Sequence, residues 1–353
     1  MTMKKIICLL LAMLALVTCA VAETVNATDE AVLNIFSWEG YIDYATVIAP
    51  FEEETGIKVN YATFASNEEM LQKLTAVNGG DYDIILASDY AINAAREAGL
   101  IQKLDKTIIT NFDNLDERFL GQYFDPENEY VFPYVCGGPL IVYDPSMVDV
   151  EINGMLDLLK PELAGSVGLV DDARVTIGLL LRALGYSMNT TDEAQLAEVA
   201  AKLEEFKTNL SILEYENLHN YVLSGDIAAA YTFTPFVAMA MEANPDLKVV
   251  FPEEGLGFGV DGCFIPVNAP HAKNANMFIE YMLRPEVGAV ITQWQYYCCT
   301  NIPAREILGD WYYGNPVFTG LIDRLDDVEI IRNLATEDEQ KFQDIWTTFK
   351  LGL

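Results

Sequence analysis

Histidine is nearly absent from this 353-residue chain, which carries only His219 and His271. An imidazole-based catalytic centre has little to build on, and neither residue stands in a recognisable nucleophile–base or metal-ligand constellation. Basic residues are scarce too, with 21 Lys and Arg against 53 Asp and Glu, for a net charge of −32. Nucleic acid and anionic membranes need basic stripes and are excluded as partners, whereas a field of this sign concentrates cations. Much of that charge also serves solubility alone. Past the first 22 residues no apolar run is long enough to cross a membrane without meeting a charge or a proline. The most apolar one, 227–241, is short and contains Pro235. Internal repeats and low-complexity linkers are missing. The cysteines Cys136, Cys263, Cys298 and Cys299 show no metal spacing. Adjacent Cys298 and Cys299 cannot easily bridge to each other. An oxidising compartment therefore permits at most a bond from one of them to Cys136 or Cys263, and buried free thiols are the expectation.

The chain opens with Lys4-Lys5, an apolar run over 6–17, and Ala20-Val21-Ala22 before Glu23. This pattern predicts a signal peptide over residues 1–22 and a periplasmic or other extracytoplasmic location. Leu16-Val17-Thr18-Cys19 also resembles a lipoprotein box, so a lipid anchor at Cys19 is the alternative. Removing the leader takes two lysines and no acid, which leaves 19 basic against 53 acidic residues. The remainder, roughly 330 residues, suffices for two cores.

Leu33-Asn34-Ile35-Phe36 alternates as a buried first strand, and Ser37-Trp38-Glu39-Gly40-Tyr41 follows where it ends. Ligands of open α/β sheets sit beyond the carboxyl ends of the strands. Trp38 and Tyr41 around Glu39 thus form an aromatic lip with a carboxylate, suited to an organic cation, unless both rings are ordinary core residues. A helix is predicted over 44–54, a strand over 57–64, and a helix after the capping box Ser66-Asn67-Glu68-Glu69. Residues 83–87 read as a third strand ending in Ser88-Asp89-Tyr90, and a helix runs on to Gly99. This βαβ alternation predicts a parallel sheet whose edge carries Trp38, Ser88 and Tyr90 together.

Cys136-Gly137-Gly138-Pro139 interrupts strand-like sequence over 130–143 and marks a crossing into a second domain. There, a buried strand over 165–170 ends in Asp171-Asp172-Ala173-Arg174. Helices are predicted over 175–185 and 191–207, and strands over 227–233 and 248–251. Gly255-Leu256-Gly257-Phe258-Gly259-Val260-Asp261-Gly262 has no helix behind it, so it is a flexible return crossing rather than a dinucleotide loop. Helices follow over 274–283, 285–294 and 337–350, the last with Trp346 and Phe349 on one side.

Many short collinear motifs over the mature chain resemble the extracytoplasmic spermidine/putrescine-binding proteins of ABC polyamine importers. They include Ser37-Trp38-Glu39-Gly40-Tyr41, Phe51-Glu52-Glu53-Glu54-Thr55-Gly56, Ser88-Asp89-Tyr90, Asp171-Asp172-Ala173-Arg174 and Leu283-Arg284-Pro285. The resemblance implies a type II periplasmic-binding-protein fold, with two α/β lobes on hinge strands. One lobe would hold 30–137 and 264–318, the other 138–263 and 319–353, with hinges near Gly137-Gly138 and Gly262. It implies capture of putrescine or spermidine by a monomer that delivers it to permease subunits. It implies no cofactor, metal or catalytic activity. The aromatic box would be Trp38, Tyr41, Tyr90, Tyr231 and Tyr297. Ser88 would be a polar contact and Asp172 and Asp261 the ammonium-gripping acids, with Glu39 and Asp89 on the lip.

The chain departs from the family in carrying Val175 in place of an acid, Gly259 in place of an aromatic, Tyr231 in place of a tryptophan, and Ile331 in place of a tail glutamine. Competing readings are another small cation such as an agmatine-like amine, ferric iron held through Tyr296-Tyr297, and a secreted enzyme.

Overall fold

The computed structural model describes residues 31–325, 328–332 and 334–353. The predicted leader with its lipidation candidate Cys19 lies outside the described residues. The strands are β1 (Val32–Trp38), β2 (Lys58–Phe64), β3 (Ile84–Ser88), β4 (Ile101–Gln102), β5 (Val131–Gly137), β6 (Pro139–Tyr143) and β7 (Val167–Val170). They continue with β8 (Leu210–Glu214), β9 (Ala229–Phe233), β10 (Lys248–Val250), β11 (Leu256–Pro266), β12 (Cys298–Cys299) and β13 (Val328–Ile330).

Two sheets result. The first has the order β12-β5-β11-β3-β1-β2, with β4 and β13 attached to β11, and the second has the order β10-β6-β9-β7-β8. β1 pairs parallel with β2 and β3, as the βαβ spacing predicts, while β11 inserts antiparallel between β3 and β5. Strand alternation gives the first sheet two apolar faces. Leu33, Ile35, Ile84 and Leu86 pack toward Phe51 and Phe278. Phe36, Ile85 and Ala87 pack on the other side with Met70 and Leu74. Each face is covered by helices, so the ends of the parallel strands are left as the accessible edge.

Side chains fix the helix starts where the sequence suggests. Ser66 Oγ accepts from Glu69 N at 3.1 Å, and Asp192 Oδ1 accepts from Ala194 N and Gln195 N at 2.9 and 3.0 Å. The helix predicted over 44–54 is divided: a π-helical turn, Tyr44–Ile48, precedes the α-helix Ala49–Thr55. Pro50 has no N–H to give the preceding turn, so the regular ladder starts afresh with proline in its first turn. The tail helix Thr336–Leu351 buries Phe342, Trp346 and Phe349 against the helices Ala173–Ala183 and Glu193–Phe206.

The glycine-rich stretch over 255–262 differs from expectation. It is the start of an eleven-residue strand rather than a flexible crossing. Gly259–Cys263, expected in the second lobe, pair with β5 in the first sheet, and Asp261 lies opposite Ser88. Gly262 is required by close packing: a Cβ there would stand 2.5 Å from Val131 Cγ1 and 2.8 Å from Ile92 Cδ1. Glycine in sequence suggests backbone freedom, and here it is the absence of a side chain between two packed neighbours. The return to the first sheet is therefore complete by Gly259, upstream of Gly262. In the other direction only Gly138 separates β5 of the first sheet from β6 of the second. The four described cysteines are free and buried.

Candidate functional site

The end of β1, the end of β3 and the middle of β11 converge on one point. Asp261 on β11 pairs in register with Ser88, the last residue of β3. The loop after β1 brings Tyr41 over them. The Tyr41 hydroxyl donates to Asp261 Oδ2, and the Ser88 hydroxyl also serves this carboxylate. Burial raises the Asp261 carboxyl above the ordinary aspartate range, and these two donors partly offset it. Tyr41 is itself pushed far up, by burial first and then by the charge of Asp261 and its neighbour Tyr297. Its loop is pinned from outside: Tyr134 Oη donates to Tyr41 O at 3.0 Å, and Trp294 Nε1 to Gly40 O at 2.8 Å.

Tyr297 closes the other side. It is buried and raised by that burial, then by the charge of Asp261. Its ring occupies the space a side chain at Gly137 would need, with Cδ1 2.7 Å from an ideal Cβ. The glycine at the crossing thus admits an aromatic ring to the site.

Asp89 lies just behind this group. It starts the helix Asp89–Glu97, is buried, and accepts from Tyr90 N at 2.6 Å and Val260 N at 3.2 Å. Burial outweighs these bonds and raises its carboxyl to about 8, with the charge of Asp261 adding to the effect. Gly259 stands where the implied family has an aromatic, and an ideal Cβ there would be 3.9 Å from Asp89 Oδ2. The missing ring therefore leaves Asp89 as the neighbour of that space.

The facing edge belongs to the second sheet. Asp172 follows β7 and caps the helix Ala173–Ala183, with Oδ1 accepting from Val175 N at 3.0 Å. Burial raises its carboxyl, opposed by the Val175 and Arg174 N–H groups. Tyr90 reaches across from the first lobe. Its hydroxyl is held by Asn67 Nδ2 at 2.8 Å and by Glu68, and it feels the charge of Asp172.

The remaining expected residues fall differently. Trp38 is partly buried and stacks edge-on with Phe64, centroids 4.6 Å apart. Glu39 is exposed, away from the buried acids. Tyr231 is fully buried in the second core, and its hydroxyl donates to Val175 O at 3.3 Å. It lies beside Asp172 but its hydroxyl is already committed.

Tyr215 is a residue that sequence reasoning missed. It follows β8, packs at a tilt against Phe233 with ring centroids 5.3 Å apart and is half-exposed. Partial burial, and then the charges of Asp172 and Asp261, push its phenol to about 12. It therefore lies within electrostatic reach of both acids. The usable signal was positional: β8 runs parallel to β7 with Glu214 opposite Val170, so Tyr215 leaves the same edge as Asp171.

Other candidate chemistries do not assemble. Tyr296 and Tyr297 diverge, with Tyr296 in the left-handed region at φ 54° and its hydroxyl bonded to Glu242 at 2.5 Å. No group of His, Cys, Asp or Glu among the described residues is placed to hold a metal ion. His271 Nδ1 stands 2.9 Å from Asp83 at the opposite end of β3 from Ser88, and His219 stacks on Phe236. An open cavity of ≈ 360 Å³ at Ser187, Asn189, Glu329 and Arg332 lies elsewhere, and its carboxylate is already engaged by Arg182 and Ser187.

A profile of the bacterial extracellular solute-binding protein family matches residues 46–306. The spermidine/putrescine-binding periplasmic protein of Salmonella typhimurium is 36% identical over 284 residues, 80% of this chain and 81% of that protein. The putrescine-binding periplasmic protein PotF of Escherichia coli is 30% identical over 317 residues, 84% of this chain and 85% of its own. Among solved structures, the spermidine/putrescine ABC transporter substrate-binding protein PotD of Streptococcus pneumoniae superposes with a TM-score of 0.79 at 33% identity. That match covers 91% of this chain and 98% of PotD. A putative spermidine/putrescine ABC transporter from Listeria monocytogenes superposes at 0.81 and 34% identity, covering 92% and 100%.

Proposed function

The chain belongs to the bacterial extracellular solute-binding protein family, and from that membership we propose that it is the extracytoplasmic receptor of an ABC importer for a polyamine. The observation that carries the reading is the partly buried Asp261, beside Tyr41, Ser88 and Tyr297, with Asp172 on the facing sheet edge. An ammonium group is held by an adjacent carboxylate and by ring faces, each cation–π contact giving ~0.5–2 kcal/mol. Two acids on opposing edges, both felt by Tyr215, favour a ligand positive at both ends over one charged at a single end. Capture brings the two sheets together about the crossings at Gly138 and just upstream of Gly259. The monomeric, loaded receptor then delivers its ligand to the permease.

This function involves binding and no bond chemistry. The test is thermal denaturation with putrescine, spermidine, spermine, agmatine, neutral amino acids and sugars. A ligand that binds only the native state raises the melting temperature. Putrescine or spermidine should do so while sugars and zwitterionic amino acids do not. Stabilisation by a sugar or a neutral amino acid, with none by any polyamine, overturns the assignment.

A further inference from the structure

Three of the four buried cysteines meet where β5 leaves the first sheet. β12 pairs antiparallel with β5, which sets Cys298 opposite Cys136 and Cys299 opposite Val135. Opposed Cα atoms in such a ladder stand roughly 4.5–5.5 Å apart, inside the roughly 4.4–6.8 Å window of a disulfide. Strand alternation puts Cys136 and Cys298 on one face and sends Cys299 to the other, where its thiol donates to Asn301 O at 3.4 Å. The Cys136 thiol donates to Cys298 O at 3.5 Å, and after burial it is the contact with the Cys298 side chain that most raises it. Cys263 sits on β11 opposite Phe132 and Leu86. Of the pairings open to these cysteines, the register selects one.

We propose that Cys136 and Cys298 form a disulfide site, closed by thiol–disulfide exchange with an oxidised dithiol of the extracytoplasmic space. The two thiols give up two protons and two electrons as the S–S bond forms. The donor disulfide takes both and leaves as two thiols. Exchange needs a thiolate and access, and burial withholds both from Cys136 once the strands have packed. The bond therefore closes during folding, while β12 is docking on β5, and the folded reduced form stays reduced.

The consequence for the site follows from chain order. Tyr297 precedes Cys298, and Gly137, against which its ring packs, follows Cys136. The bond clamps the ring beside Asp261 to the strand that crosses between the sheets. That consequence rests on the receptor reading, but the bond itself does not.

The secreted chain is reduced, denatured and refolded in a mixture of reduced and oxidised glutathione, then alkylated under denaturing conditions and digested. Two of the four cysteines should escape alkylation, and mass spectrometry should find a Cys136–Cys298 linked peptide. Protein folded first under reductant and then exposed to the same mixture should be alkylated at all four. Full alkylation after oxidative refolding overturns the proposal, and so does linkage through Cys263 or Cys299. Because the readout needs no ligand, a chain that crosslinks as stated yet ignores polyamines refutes the receptor reading alone.

Discussion

Replacing Asp261 by asparagine separates what the carboxylate does for the ligand from what it does for the fold. Asp261 is partly buried, on the strand between β3 and β5, and its oxygens are met by the Tyr41 and Ser88 hydroxyls. Asparagine has the same shape and keeps one accepting oxygen for Tyr41, so the local packing survives. The lost quantity is the negative charge beside an incoming ammonium. Coupling energies of close, desolvated charge pairs run from about 1.5 to 7 kcal/mol. Two neutral donors already share this carboxylate, which places the expected loss at roughly 2–4 kcal/mol. At about 1.4 kcal/mol per tenfold, putrescine affinity should fall between roughly 30-fold and 700-fold. Without ligand the sign reverses. Burial holds this carboxyl above its ordinary range, so the charged form is a cost to the folded state, and Asp261→Asn should melt at the same temperature or higher. Calorimetric titration gives the first quantity and a melt without ligand the second. An unchanged Kd refutes the placement of the ammonium, and a loss of affinity accompanied by a lower ligand-free melting temperature shows that the residue is structural.

The same physics makes ligand-free stability depend on pH through Asp89. A carboxyl raised from roughly 3.9 in the unfolded chain to about 8 in the folded one contributes stability below the lower value and loses it as pH rises through the higher. Unfolding by urea should therefore be harder at pH 5 than at pH 8.5, by several kcal/mol at ~1.36 kcal/mol for each tenfold difference in acidity between the two states, and Asp89→Asn should flatten the difference. A stability that rises over this range and ignores the substitution would show that Asp89 is charged at neutral pH despite its burial and the charge of Asp261 beside it. Selectivity turns on Val175, which is buried at the start of the helix capped by Asp172. With no acid there, spermidine's extra ammonium is desolvated without a partner at a cost of several kcal/mol, against ~0.8 kcal/mol for each added methylene. Competition titration should find putrescine preferred, and Val175→Glu should shift the ratio toward spermidine by about tenfold or more. A native protein that binds spermidine tenfold more tightly than putrescine means another acid already serves that ammonium.

The first sheet was legible because its strands and helices carry unambiguous periods and caps. Leu33-Asn34-Ile35-Phe36 alternates, Ser66 caps its helix, and Ser88 closes a run of four apolar residues. Those local signals also set Trp38, Ser88 and Tyr90 at one sheet edge. The return strand β11 was harder to read because its pairings are antiparallel and long-range. Nothing local says that Gly259–Cys263 inserts between β3 and β5, since that depends on Val131 and Ile92, more than a hundred residues upstream. Glycine's two meanings, a free backbone and an absent side chain, look alike in sequence, and the choice between them moved the expected crossing. Tyr231 carries a related ambiguity: a tyrosine on a strand has two faces to occupy, and its hydroxyl donates to Val175 O. Tyr215 was passed over because Glu214-Tyr215-Glu216 reads as an exposed turn until β8 is known to lie beside β7.

Each acid of the site is already satisfied within its own lobe. Asp261 has two hydroxyls, Asp89 two backbone N–H groups, and Asp172 the N–H of Val175. None is orphaned, so the site needs no ligand to avoid an uncompensated buried charge. A ligand must therefore do better than neutral donors, and only a cation does. Burial pushes all three carboxyls upward, so the field that stabilises an arriving ammonium is the same one that holds protons in its absence. A sugar offers hydroxyls no better than those of Tyr41 and Ser88 and displaces nothing. A zwitterion brings a carboxylate of the wrong sign to a place where Asp261 and Asp89 already repel each other. On the proposed reading, a dication would meet one acid at each edge and exchange shared protons for fixed charges. The preference for charge at both ends thus follows from how the site is satisfied when empty, before any contact with a particular amine is considered.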